Sequence, residues 1–125
     1  MSLHEKLGGD QPIITLCRLV LQKAYVDPRI SKFFDDVEYE QQCTKLSNYF
    51  IMGLGGNDNY TADGKGIFEG HRRLREEKGL NDTHFDVIIE IIKESLIELE
   101  VPEDLRKELE IVSEGHRDQV LGRSQ

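Results

Sequence analysis

Apolar positions recur at intervals of three and four along most of the chain, and strict alternation is nearly absent, which predicts helices rather than strands. Leu3 to Leu7 predicts a short opening helix stopped by Gly8-Gly9. Ile13, Cys17, Val20, Leu21 and Ala24 share one face of the next helix, with Asp10 as its expected N-cap and Pro12 in its first turn. That helix ends near Tyr25-Val26, because Pro28 holds Asp27 in an extended conformation. Pro28 opens a short turn of helix through Ile30 to Phe33-Phe34. Asp35 and Asp36 are the expected caps of a middle helix carrying Tyr39, Cys43, Leu46, Phe50 and Gly53, which stops at Gly55-Gly56. Residues 57–66, rich in glycine, asparagine and aspartate, read as loop. After Gly79, Asn81 or Asp82 caps the most apolar segment, whose stripe is Phe85, Ile88, Ile89, Ile92, Leu96 and Leu99. Pro102-Glu103-Asp104 starts a last helix with the stripe Leu105, Leu109, Val112, His116 and Val120, which gives His116 a core-facing slot. The expectation is an all-α protein of four substantial helices and several short ones.

Size and composition narrow the class. The 125 residues predict one domain, 1–125, with a polar tail from about Gly122. A hydrophobic share of 38% with 32% charged residues fits a globular protein. No apolar run approaches the roughly 20 residues that span a bilayer, and the start lacks a charged segment followed by an apolar one, so a cytoplasmic location without a membrane partner is expected. A net charge of −8 argues against nucleic acid, whose phosphates need a basic face. The one basic cluster, Arg72-Arg73 with Arg75, reads as a solvated helix face or as a holder of a small anion such as a carboxylate. Cys17 and Cys43 fall on apolar stripes and have neither zinc nor redox spacing, so both are expected in the core.

His71 carries the candidate chemistry. It lies in Phe68-Glu69-Gly70-His71-Arg72-Arg73-Leu74, and a helical turn there aligns its ring with Ile67 and Leu74. One reading is a partly buried histidine satisfied by a backbone carbonyl. The other is an imidazole turned to an apolar cavity, which is what a haem iron takes as its proximal ligand. Gly66 and Gly70 favour the second, since they let a large group approach the backbone closely. An all-α interaction domain without a cofactor leaves that glycine spacing unexplained.

The order of landmarks resembles a family. Leu7-Gly8-Gly9, Phe33-Phe34, Leu54-Gly55-Gly56, Tyr60, His71 and Gly79-Leu80-Asn81 followed by His84-Phe85 are similar to those of the group I truncated haemoglobins, the cyanobacterial members in particular. The resemblance runs from Leu3 to about Leu121. It implies a globin-like, truncated two-over-two α-helical sandwich enclosing a haem b. By the same correspondence His71 is the proximal iron ligand and Phe34 stacks on the porphyrin. Ile67, Phe68, Leu74, Phe85 and Ile88 line the proximal and lateral walls, and Leu46 and Phe50 belong to the middle-helix side.

The chain departs from the family on the distal side. Leu21 stands where members usually carry a tyrosine that hydrogen-bonds the gas ligand, and leucine has no donor. Gln42, Lys45 and Tyr49 are the remaining polar candidates. Lys45 matches a histidine that ligates iron in cyanobacterial relatives; it reads either as a lysine lying over the haem edge or, as a neutral amine, as a distal iron ligand. His116 matches a histidine that in some relatives bonds covalently to a haem vinyl carbon, against the alternative of a buried ring bonded to a carbonyl. The function implied is reversible binding of oxygen, nitric oxide and carbon monoxide, with nitric oxide dioxygenation as the expected reaction and an external reductase as its expected partner. The alternative is a six-coordinate electron-transfer or redox-sensing haem protein.

Overall fold

In the computed structural model, which describes residues 2–55 and 71–123, every regular element among the described residues is helical. In chain order they are α1 (Leu3–Leu7), α2 (Asp10–Val26), a 3-10 turn (Ser31–Phe34), α3 (Tyr39–Gly53), α4 (Arg72–Lys78), α5 (Asp82–Glu98), α6 (Glu103–Glu114) and α7 (Arg117–Val120). Ser2 caps α1 by accepting from the Glu5 N–H at 3.2 Å. Gly8 closes that helix at φ 105°, a left-handed conformation that glycine adopts without a side-chain clash. Asp27 ends α2 in the extended conformation imposed by Pro28 (φ −81°, ψ 115°).

Three local expectations are corrected. Gly9, not Asp10, is the N-cap of α2, and Asp10 is the first helical residue. Glu38, not Asp35 or Asp36, caps α3, its carboxylate accepting from Glu40 N at 3.1 Å and Gln41 N at 2.9 Å. Asp35 instead follows the 3-10 turn, which consumes the residues nearest Phe34 and moves the start of α3 downstream. The last helix is also two helices. The chain breaks at Gly115-His116, so His116 is the N-cap of α7 rather than the fourth position of one long stripe.

The consecutive pairs α2/α3 and α5/α6 pack together, and α2 against α5 joins the pairs; α1 lies against α2 and α6. This is the two-over-two arrangement the resemblance implies. Their common core holds Ile13, Leu16, Cys17, Val20 and Ala24 of α2, with Ile30, Phe33, Leu54, Val87, Ile91, Ile92, Leu96 and Leu109. Each such aliphatic or aromatic side chain contributes about 1.5–3 kcal/mol by leaving water. The stripe expected on α5 is present, with Val87 and Ile91 added, while Leu99 falls past the helix end and is 37% exposed. On α3 the buried side chains are Cys43, Ser47 and Met52. Leu46, Phe50 and Ile51 are half-buried against the core. Among the described residues no helix is long and apolar enough to cross a membrane. The loop expected over residues 57–66, and Tyr60, Gly66, Ile67, Phe68 and Gly70, lie outside the described residues.

Candidate functional site

Helix α3 divides its surface by period. Cys43 and Ser47, four apart, are buried toward α2, where burial pushes the Cys17 thiol up to about 12, with nearby Ser47 partly offsetting that shift and Cys43 adding to it. A thiol held so far from ionisation is a core residue, not a nucleophile. Gln42, Leu46, Tyr49 and Phe50 follow one another on a neighbouring face and are all half-buried. Lys45 is exposed. Leu21 on α2 is 3% exposed.

His71 is half-buried at the N-cap of α4 (φ −107°, ψ 2°). Leu74, one turn on, packs against the core. Helix α4 has seven residues and buries none of them fully, so its position depends on polar ties. Arg73 Nη2 meets Asp36 at 2.6 Å and Lys78 Nζ donates to the Lys32 carbonyl at 2.6 Å, which docks α4 on the turn carrying Phe34. The Arg73 hydrogen bond, with the Lys78 charge behind it, holds the Asp36 carboxyl below the usual carboxylate range. Arg75 Nη1 donates to the Val120 carbonyl at 3.1 Å, which docks α4 on α7 as well. The basic cluster therefore binds groups of the chain itself: Arg72 pairs with Glu76, and Arg73 with Asp36 and Glu77.

Phe34 is half-buried against the core and stacks on Tyr25 with ring centroids 4.6 Å apart. Tyr25 is fixed in turn by donating to the Val37 carbonyl at 3.0 Å and by the edge of Tyr39. Sequence reasoning did not single out Tyr25. Its place one residue before the end of α2, ahead of two phenylalanines, was the available signal.

His116 is half-buried, and its Nδ1 is shielded from water with no hydrogen-bond partner among the described residues. Its ring meets Tyr49 edge-on, centroids 6.1 Å apart at 79°. The structure thus joins two predicted site residues from α3 and the α6–α7 corner. Next to them Arg117 pairs with Asp82 at 3.0 Å, Asp86 at 2.5 Å and Glu114 at 2.7 Å, and its guanidinium covers the Phe85 ring at 4.6 Å. Arg123 adds a second pair to Asp82 at 2.7 Å. Phe85 is 7% exposed and Ile88 half-buried against the core. None of these arginines was anticipated as part of the site.

The residues fit a haem. A buried polar atom without a partner costs roughly 1–3 kcal/mol unless something else meets it, and His116 Nδ1 is such an atom beside Tyr49. Phe34, Leu46, Phe50, Leu74 and Ile88 are half-buried against one core and would supply apolar walls, and His71 would supply an imidazole donor.

The comparisons with known proteins agree with this architecture. The bacterial-like globin family matches residues 2–120. Group 1 truncated hemoglobin GlbN of Synechocystis sp. is 35% identical over 122 residues, covering 96% of this chain and 97% of that protein. A group 1 truncated hemoglobin of Tetrahymena pyriformis is 31% identical over 98% of this chain and 96% of its own. Among solved structures, the 2/2 hemoglobin of Synechococcus sp. PCC 7002, in the cyanomet state with covalently attached heme, superposes with a TM-score of 0.91 at 31% identity, covering 98% of this chain and all of that one. The fold and site define a haem-binding globin. The chain belongs to the bacterial-like globin family and, with these relatives, to its group 1 truncated haemoglobins.

Proposed function

We propose that the protein binds haem b through His71 and uses it to bind oxygen, nitric oxide and carbon monoxide reversibly. The observation that carries the reading is the shielded, unpartnered His116 Nδ1 beside Tyr49 of the half-buried α3 face, in a globin fold that also half-buries His71. The bound cofactor supplies an iron centre for diatomic gases. The chain's own residues do the rest. Leu74, Ile88 and Phe85 keep the His71 side apolar, and a neutral imidazole is the form that donates to a metal. Phe34, held flat by Tyr25, offers an aromatic face to the ring. Leu21, Leu46 and Phe50 keep the opposite side apolar, and Gln42 is the hydrogen-bond donor on that side. Oxidation of nitric oxide to nitrate by oxygen is the reaction this site would support, with electrons from an external reductase.

The test is the absorption spectrum of the hemin-reconstituted protein and of His71→Ala. We expect a Soret band in the parent and no stable haem uptake in the variant. Wild-type Soret and visible bands in His71→Ala would overturn the assignment. The six-coordinate reading would need Lys45, exposed in the structure, to reach the iron; a low-spin ferric spectrum that turns high-spin in Lys45→Ala would favour it.

A further inference from the structure

His71 and His116 lie on different helices, yet a short run of hydrogen bonds connects their backbones. The Arg75 N–H donates to the His71 carbonyl at 3.1 Å. The same residue's Nη1 donates to the Val120 carbonyl at 3.1 Å, and the Val120 N–H donates to the His116 carbonyl at 3.0 Å. Two residues, Arg75 and Val120, therefore bridge the two histidines. The packing around the bridge is specific. Gly122 has φ 78°, and a Cβ there would lie 2.6 Å from Arg75 Nε, so the turn after α7 is shaped to let the guanidinium pass. The far side of α7 is fixed independently by the Arg117 and Arg123 pairs to Asp82. Arg75 thus ties a short helix, which buries no side chain fully, to a segment that is already anchored.

We propose that Arg75 is a positioning residue that couples His71 to His116, so that the setting of each imidazole depends on the other's helix. The proposal rests on the reading of His71 as the haem ligand. A cation donating to a carbonyl is among the stronger hydrogen bonds, and its loss removes the tie between α4 and α7 beside the helical turn that carries His71.

The experiment uses the full chain reconstituted with hemin, comparing the parent with Arg75→Met, Arg75→Lys and Gly122→Ala. Two readouts are taken: the iron–histidine stretching band of the ferrous protein by resonance Raman, and the His116 ring resonances by NMR. Arg75→Met and Gly122→Ala should each broaden or shift the iron–histidine band and also move the His116 resonances. Haem loss to an excess of apomyoglobin should quicken by on the order of tenfold in Arg75→Met. Arg75→Lys, which keeps a cation able to reach the carbonyl, should restore both signals. If Gly122→Ala acts by displacing Arg75, adding it to Arg75→Met should change little further. A lower melting temperature in Arg75→Met with both signals unchanged would overturn the coupling and leave a purely structural contact. Failure of the underlying reading is distinguishable, because His71→Ala would then keep the parent iron–histidine band.

Discussion

At the scale of single residues, the exchange most consequential for ligand chemistry is a missing hydroxyl. Leu21 is 3% exposed on α2, at the place where the truncated haemoglobins that the chain resembles carry a tyrosine. Leucine there fills volume and donates nothing, so under the proposed function a gas ligand's hydrogen bond would fall to Gln42, half-buried on α3. One neutral hydrogen bond is worth about 0.5–1.5 kcal/mol net, or roughly two- to tenfold in affinity. Stopped-flow measurement should show oxygen leaving Gln42→Leu faster by about that factor, and leaving Leu21→Tyr more slowly. Equal rates in both variants and the parent would mean that neither position governs the pocket. The identity of such residues was readable because periodicity puts Leu21 and Cys17 on one buried face. Ser47 and Ser113 were not readable: both are buried, and a serine's burial depends on the partner helix, which periodicity does not report.

At the scale of elements, stops were easier to read than starts. Pro28 and Gly8 terminate helices through their backbone preferences, and both did so where the sequence indicates. Caps depend on which of several polar side chains reaches the free N–H groups, and so Glu38 displaced Asp35 and Asp36. The start of α5 is the best-built cap. Asn81 accepts from Thr83 N at 3.0 Å and His84 N at 3.4 Å, and His84 Nδ1 accepts from Asn81 N at 3.1 Å. The His84 ring also sits edge-on to Phe33 at 4.8 Å. Burial, reinforced by the Lys32 charge, lowers its pKa below the usual histidine value, and only the neutral ring can accept at Nδ1. The folded state therefore binds fewer protons than the unfolded state. The stabilisation is complete above the unfolded pKa of about 6.5 and is lost as pH falls through the lowered folded value. His84→Ala should cost about 1 kcal/mol at pH 7.5, as the loss of a cap does. It should also flatten the decline in melting temperature between pH 7 and 5, read by circular dichroism. An unchanged decline would assign the acid sensitivity to other groups.

At the scale of the whole molecule, the two-over-two frame brings together groups far apart in sequence, and the His116 corner shows how. The break at Gly115-His116 separates α7 from α6, and the Arg117 pairs with Asp82 and Asp86 hold its start against α5. His116 is therefore shielded for a reason other than the helical stripe that suggested it: a corner held by charge, with Tyr49 of α3 against the ring. Surface ion pairs are each worth little, but three carboxylates on one guanidinium that is itself 19% exposed make a network rather than an isolated pair. We propose that this corner aims the His116 imidazole at the cofactor edge, where the ring nitrogen can add across a haem vinyl group. The bond would join a His116 ring nitrogen to one vinyl carbon, with the ring N–H proton released and a proton taken up at the other vinyl carbon. No oxidant is consumed, and the product mass is the sum of protein and haem. Denaturing mass spectrometry after dithionite treatment of the haem-loaded protein should show that sum in the parent and only the apoprotein mass in His116→Ala. Arg117→Ala, which releases the corner while keeping the histidine, should slow the appearance of the adduct. Apoprotein mass alone in the parent would leave His116 as a shielded wall residue beside Tyr49.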